Sequence, residues 1–253
     1  MDAEDRRRGM LELVRSTGSV DVVRLAEEFA VSRETVRRDL NVLEDHGLVR
    51  RRHGGVYPVA GAGLETTLAF RSTHRAPEKS RIAAAAAGLL SGAETVFIDE
   101  GFTPQLIAEA LPRDRPLTIV TASLAVVSAV ATSAQTDVLL LGGRVRQGAM
   151  TTVDHWAVRM LSDFVVDLAY LGANGISRTH GLTTPDPAVG QVKAQAIRAA
   201  RRRVFAGVHT KFGPASFCRF GDVGDLDTIV TGTGLPAAEA HRYQLLGPKV
   251  IRV

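Results

Sequence analysis

Two folded units of different class are predicted: a small α+β unit at the N-terminus and a larger α/β unit after it. Three observations carry this. The first 47 residues hold three short runs with apolar residues at helical spacing, followed at once by a basic hairpin pattern. Residues 58–80 then break the periodicity with Pro58, Gly61, Gly63 and Pro77. Beyond residue 80, short β-branched runs alternate with helical ones, the pattern of a largely parallel sheet covered by helices. The boundaries fall at 1–58 for the first unit, 59–79 for a linker and 80–253 for the second unit.

Composition is that of an ordinary globular chain, with 45% hydrophobic and 23% charged residues in 253. A core of useful size needs no disulfide or metal staple at this length. The single cysteine, Cys218, has no intrachain partner, which fits a reducing compartment. No apolar run approaches the roughly 20 residues of a spanning helix, and no apolar signal core follows the charged N-terminus. A cytoplasmic protein without membrane contact is expected. The net charge is +4, yet residues 1–58 carry eleven arginines against eleven carboxylates. Net charge therefore does not mark the first unit as a nucleic-acid binder, and only the placement of its charges can.

A first helix is expected over 5–15, with Met10, Leu11 and Val14 on one face. Gly9 within it should loosen it slightly. A second is expected over 22–30, where Val22, Leu25, Ala26 and Phe29 form one stripe and Asp21 is placed to cap. After the tight turn Ala30-Val31, Ser32 is placed to cap a third helix over 33–45. Val36, Leu40 and Leu43 face inward; Glu34, Arg38 and Asn41 project outward, with Arg37 on the flank. Two short helices joined by a tight turn, the second polar on its outward N-terminal half, match a helix-turn-helix. Ser32, Arg33, Glu34, Thr35, Arg37, Arg38 and Asn41 are thus the candidate set for double-stranded DNA. Arginines there can reach guanine edges or clamp phosphates.

The run from Leu48 to Tyr57 reads as a hairpin with Arg50, Arg51, Arg52, His53 and Gly54 at its basic end. Beside a helix-turn-helix, such a hairpin is a wing lying along the phosphate backbone. A surface helix with a solvated charge run would explain the third helix alone. It does not explain the whole series in sequence order.

In the second unit, helix 80–90 leads to a strand at 95–99, a helix at 104–111, a strand at 117–121 and a helix at 124–132. Strands follow at 137–141 and 167–171, then a long helix at 187–202 and strands at 204–208, 228–231 and 250–253. Ligands of such sheets bind beyond the carboxyl ends of the strands. Those ends carry Asp99, Glu100, Gly101, Phe102 and Thr103, then Thr121, then Gly142 and Gly143, then Asn174 and Gly175. A glycine-bearing loop entering a helix near Pro104 suits a phosphate, through backbone N–H groups and the helix dipole. Of only four lysines, Lys193 and Lys211 stand in segments that carry the family resemblance given below, and a lysine ammonium suits a phosphate or a sugar oxygen. For Lys193, a solvated place on a helix face is the equal alternative. Arg201, Arg202 and Arg203 are expected at the end of the long helix as a solvated cationic cap, and His155 and Trp156 as structural. Histidine spacing offers no metal site, and no cofactor is expected.

The series Gly18 to Ser32, then Thr35-Val-Arg-Arg-Asp-Leu40, Gly47-Leu-Val and Arg52-His-Gly-Gly-Val56, resembles the DeoR-type repressors of sugar metabolism. So do Lys79-x-x-Ile82-Ala83, Asp99-x-Gly101-x-Thr103, Gly142-Gly143, Gly175-Ile176, Gly181-Leu-Thr183 and Lys211-Phe-Gly213. The resemblance implies an effector domain similar to ribose-5-phosphate isomerase, a phosphorylated-sugar effector, operator DNA as partner and a homo-oligomer, dimer or tetramer. Three departures stand out: Phe102 where the family has a hydroxyl, Ala122 where it has asparagine, and His209 where it has an acid. An isomerase-like enzyme carrying a DNA-binding module is the second reading, with Asp99, Glu100 and Lys211 available for proton transfer. An activator differs only in promoter geometry.

Overall fold

The computed structural model describes residues 3–45, 48–52, 55–58, 68–73 and 75–253. The chain divides into two compact units, Met1–His74 and Arg75–Val253.

In the first unit, α1 (Ala3–Thr17), α2 (Val22–Glu28) and α3 (Arg33–Asp45) precede the hairpin of β1 (Val49–Arg52) and β2 (Gly55–Pro58). Asp21 caps α2 by accepting from the Arg24 N–H at 2.8 Å, and Ser32 Oγ accepts from the Thr35 N–H at 3.1 Å. Both caps stand where the sequence places them. Ala30 takes a left-handed φ of 50°, which closes the turn between α2 and α3. Met10, Val14, Leu25, Val36, Leu40 and Leu43 form the core under the hairpin. Val20 pairs with Val56 through two backbone hydrogen bonds, at 3.0 and 2.8 Å, so the wing has a third strand position. Gly9 also has a packing role. A Cβ there would stand 2.6 Å from the Phe29 ring, so the glycine lets α2 approach. The expected linker over 59–79 contains α4 (Leu68–Thr73) and the first turn of the next helix; residues 59–67 lie outside the described residues.

The second unit runs α5 (Ala76–Ala87), β3 (Thr95–Ile98), α6 (Phe102–Ala110), β4 (Leu117–Thr121), α7 (Leu124–Val130) and β5 (Thr136–Leu140). The hairpin β6 (Arg144–Arg146) and β7 (Thr151–Val153) leads to α8 (His155–Ser162) and β8 (Val166–Leu171). Then come β9 (Gly175–Ser177), β10 (Gly181–Thr184), α9 (Pro187–Ala199), β11 (Ala200–Ala206), β12 (Cys218–Gly221), β13 (Thr228–Thr231), α10 (Ala237–Gln244) and β14 (Lys249–Arg252). Seven parallel strands form one sheet in the order β14-β13-β11-β8-β3-β4-β5. One face packs on α5, α6 and α7 through Ile82, Ala86, Ile107 and Val126. The other packs on α8 and α9 through Leu161, Val192, Ala196 and Ile197. An antiparallel sheet, β12-β10-β9, flanks α9.

One predicted element changes class part-way. The helix expected over 187–202 ends at Ala199, and Arg201, Arg202 and Arg203 lie on β11. Ala200 already pairs with Val166 of β8, because sheet pairing wins once the next residues, Val204-Phe-Ala206, must be buried. These arginines are therefore no helix cap. Arg202 donates to the carbonyls of Leu89 and Leu90, and Arg203 to the Asp227 carboxylate.

Candidate DNA interface and effector site

α3 presents Arg33, Glu34, Arg37, Arg38 and Asn41 to solvent, with Ser32 exposed at its start and Thr35 half-buried. The hydroxyls of Ser32 and Thr35 hydrogen-bond at 2.9 Å, so both side chains serve the cap. Arg37 reaches Glu34 only at 3.9 Å, and both are well exposed, a pair that does little for stability. Arg33 and Arg38 make no ion pair among the described residues. The outward face thus carries three exposed guanidinium groups on a rigidly capped helix.

Two ion-pair arrangements fix this face, and neither was evident as such in the sequence. Asp39 is buried, and its two carboxylate oxygens accept from Arg6 Nε at 2.7 Å and Arg7 Nε at 2.8 Å. A buried carboxylate is tolerable only with such partners, and these lock α1 against α3. Glu44, at the far end of α3, accepts from the Arg51 backbone N–H at 2.8 Å and from its Nε at 2.7 Å. Those bonds hold the Glu44 carboxyl below its ordinary value. Arg51 is thereby partly committed to a clasp between wing and helix, while Arg50 and Arg52 project from the other face of β1. His53 and Gly54 lie outside the described residues.

The second site follows from topology. Strand order reverses between β3 and β8, so a crevice is expected where their carboxyl ends diverge. Asp99, just past β3, accepts from the Gly172 N–H just past β8 at 2.8 Å and from the Glu100 N–H at 2.8 Å. Lys193, from α9, forms an ion pair with Asp99 and a second with Glu100 at 3.2 Å. All three side chains are buried. Burial pushes the Asp99 carboxyl up, as does Glu100, against the pull of the Lys193 ammonium. Burial also opposes the Lys193 charge, but the two carboxylates outweigh it and hold the amine above its ordinary value. Lys193 is thus no solvated helix-face lysine: it is buried and paired with two carboxylates at the strand reversal.

Gly101 follows at φ 115°, a conformation suited to glycine, and its carbonyl accepts from Gln105 to begin α6. Thr103 is buried in the first turn of α6 and Phe102 half-buried beside it. Lys79 of α5, itself buried, places its ammonium 5.6 Å from the centre of the Phe102 ring. Sequence reasoning did not single out Lys79 as a neighbour of this loop. The available signal was its membership of a set of four lysines in an arginine-rich chain.

The remaining candidates divide. Thr121 donates to the Ile98 carbonyl at 2.6 Å and accepts from the Ser123 N–H, so its hydroxyl holds two strand ends together. The Gly142 N–H points at Met160 Sδ, and a Cβ on Gly143 would stand 2.1 Å from the Val153 carbonyl oxygen. A Cβ on Gly175 would stand 2.3 Å from the Pro214 carbonyl oxygen. Gly143 and Gly175 answer to close backbone approaches, whereas a Cβ on Gly142 would meet only Met160 Sδ at 3.5 Å. Asn174 is half-buried and bonded to Thr183 and Thr184. Lys211 is half-buried on the turn His209–Lys211 after β11, the strand next to β8. His209, where an acid was expected, has a carboxylate brought to it: Glu78 of α5 contacts its Nδ1 at 2.8 Å and its backbone N–H at 3.1 Å. Among the described residues, no cluster is placed to hold a metal ion, and no helix is long and apolar enough to cross a membrane.

Residues 6–59 match the DeoR-like helix-turn-helix domain and residues 74–233 the DeoR C-terminal sensor domain. The chain is 31% identical to the glycerol-3-phosphate regulon repressor of Escherichia coli over 238 residues, 94% of each chain. It is 30% identical to the HTH-type transcriptional regulator GlpR of Haloferax volcanii over 247 residues, covering 98% of this chain and 96% of that one. Among solved structures, ribose 5-phosphate isomerase A from Neisseria gonorrhoeae aligns with a TM-score of 0.38 at 16% identity, over 53% of this chain and 52% of the enzyme. With both domains matched in order and relatives aligned along nearly their whole length, the chain belongs to the DeoR family of helix-turn-helix transcriptional regulators, and is a regulator rather than an enzyme.

Proposed function

We propose that this regulator represses genes of sugar or polyol metabolism in the cytoplasm and is released from its operator by a phosphorylated sugar or polyol. The observation that carries the effector reading is the uneven charge around the strand reversal, where ligands of such sheets bind. One side, Asp99 and Glu100 around Lys193, holds two carboxylates to one ammonium and suits the donor hydroxyls of a polyol. The other side, Gly101 to Thr103 at the start of α6 with Lys79 beside it, suits an anion. A molecule with hydroxyls at one end and a phosphate at the other fits that division, and glycerol 3-phosphate, named for the Escherichia coli relative, is of that class.

On the DNA side, Arg33, Arg37, Arg38 and Asn41 read the major groove, while Arg50 and Arg52 with His53 and Gly54 follow phosphates. A homo-oligomer presents two such helices to a two-fold operator. The test is a thermal-shift panel of glycerol 3-phosphate, ribose 5-phosphate and fructose 6-phosphate with their unphosphorylated counterparts. Operator release is followed in parallel by fluorescence anisotropy. One phosphorylated compound is expected to raise Tm and free the operator. A response confined to unphosphorylated polyols would remove the phosphate from the reading.

A further inference from the structure

We propose that the β5 edge of the sensor sheet, together with the outer face of α8, is the surface on which a second copy of this chain docks. β5 ends the seven-stranded sheet and, among the described residues, pairs only with β4. Edge strands in soluble proteins are normally blunted by charged residues, proline or a bulge; Thr136-Asp-Val-Leu-Leu140 has a single charge, Asp137 near its start, and no lysine, proline or bulge. Leu139 and Leu140 point to opposite faces of the strand, yet are 41% and 38% exposed. Val138 still packs against the core on the α7 side, so it is the last two residues of the strand that the layers leave partly uncovered. The patch continues onto α8, where Met160 Sδ touches the Gly142 N–H and Trp156, one turn earlier on the same face, is 61% exposed.

The surface is self-complementary, which selects a second copy over a foreign partner. A two-fold axis sets two β5 strands antiparallel, so each unpaired backbone row meets the other and the sheet doubles. The same axis sets two α8 helices antiparallel. Arg159 of α8 and Asp163 at its C-cap, an exposed pair 3.8 Å apart, then face the opposite charge on the other copy. Apolar residues at the centre with paired charges at the rim is the anatomy of a stable interface. This rests on the proposed homo-oligomer, and the test separates the two. Sedimentation of the full chain is expected to give at least twice 27.0 kDa. Leu139→Lys and Trp156→Glu, each with circular dichroism and melting retained, are expected to fall to the monomer mass and to weaken a two-half-site operator by ~10²-fold or more. Trp156→Glu, at an exposed position, covers the case in which the strand variant fails to fold. An oligomer whose mass survives both variants would leave the homo-oligomer standing and overturn this surface. A monomeric wild-type chain would overturn both.

A second inference stands on different residues: the first turn of α5 carries effector occupancy to the DNA-binding unit. α5 begins at Ala76, directly after the division at His74–Arg75. Its consecutive residues Glu78 and Lys79 touch different strand-end loops. Glu78 is bonded to His209 of the turn that bears Lys211, and Lys79 lies over Phe102, the first residue of α6 just past the β3 strand end. The Glu78 contact is tightly enclosed. A Cβ on Gly232 would stand 2.2 Å from Glu78 Oε1, and one on Gly234 2.5 Å from His209 Nδ1. A ligand that shifts either loop must therefore move the segment that continues into the linker. This too rests on the proposed effector site. In the full chain, Glu78→Ala and His209→Ala are expected to keep operator affinity within about 2-fold and to keep the Tm rise with glycerol 3-phosphate or whichever panel member acts. The effector-induced loss of operator affinity, typically 5–150-fold in coupled systems, is expected to collapse toward 1, with Glu78→Gln recovering part of it. Undiminished release in both alanine variants would overturn the inference. So would loss of the Tm rise, which would make these residues ligand contacts. A wild-type chain that responds to no panel member would remove the effector reading and this inference with it.

Discussion

Lys193 shows how one side chain can be indispensable to the fold through its buried partners. Two buried carboxylates converge on it, and removing one partner of such a group leaves an uncompensated charge in a low-dielectric interior. Lys193→Met is accordingly expected to destabilise the sensor unit by about 3–5 kcal/mol in urea denaturation. Adding Asp99→Asn and Glu100→Gln should restore most of the loss, because the charges then vanish together. A mild single-variant effect would mean that water reaches the trio. Gly143 makes the same point for backbone. At φ 134° and against the Val153 carbonyl, Gly143→Ala is expected to cost about 1–3 kcal/mol. Effector affinity per folded molecule should stay unchanged in calorimetric titration. A selective loss of binding would return Gly143 to the site.

At the scale of elements, the Glu44–Arg51 clasp sets how the wing is presented beside α3. Glu44→Gln leaves the helix intact but frees one guanidinium, so log affinity for non-specific DNA should steepen against log salt by about 0.9, one further phosphate. Specific discrimination should fall at the same time, because the wing loses its anchor. A salt slope equal to wild type would show that Arg51 meets phosphate despite the clasp. The pH dependence follows from the sign of the shift. A carboxyl lowered on folding contributes stability above its ordinary value of 4.5, lost as pH falls through the lower folded value. The clasp is therefore complete at neutral pH and opens only in acid. Periodicity made α2, α3 and the sheet strands legible in the sequence, since Leu25, Val36 and Leu40 must face one way. The caps Asp21 and Ser32 were legible from residue type. The partners of Asp39, Glu44, Glu78 and Lys193 were not, because each lies on another element and no local rule pairs them. Arg201 to Arg203 were misread for a related reason: helix preference is local, whereas pairing with Val166 and Thr228 depends on strands far away in sequence.

For the whole molecule, the deciding feature is that each unit has its own core. Met10, Leu25, Leu40 and Val56 close the first, and the two faces of the seven-stranded sheet close the second. Calorimetry of the full chain is therefore expected to resolve two transitions. Operator DNA should raise one of them and the sugar phosphate the other, each by about 2.7 kcal/mol at a hundredfold excess over Kd. The informative measurement has both ligands present. Linkage requires that if the effector weakens operator binding by some factor, the operator weakens effector binding by the same factor. Each stabilisation should then fall short of its single-ligand value by the same free energy. Additive shifts would mean that the units melt and bind independently, and that release from DNA does not run through the chain that joins them.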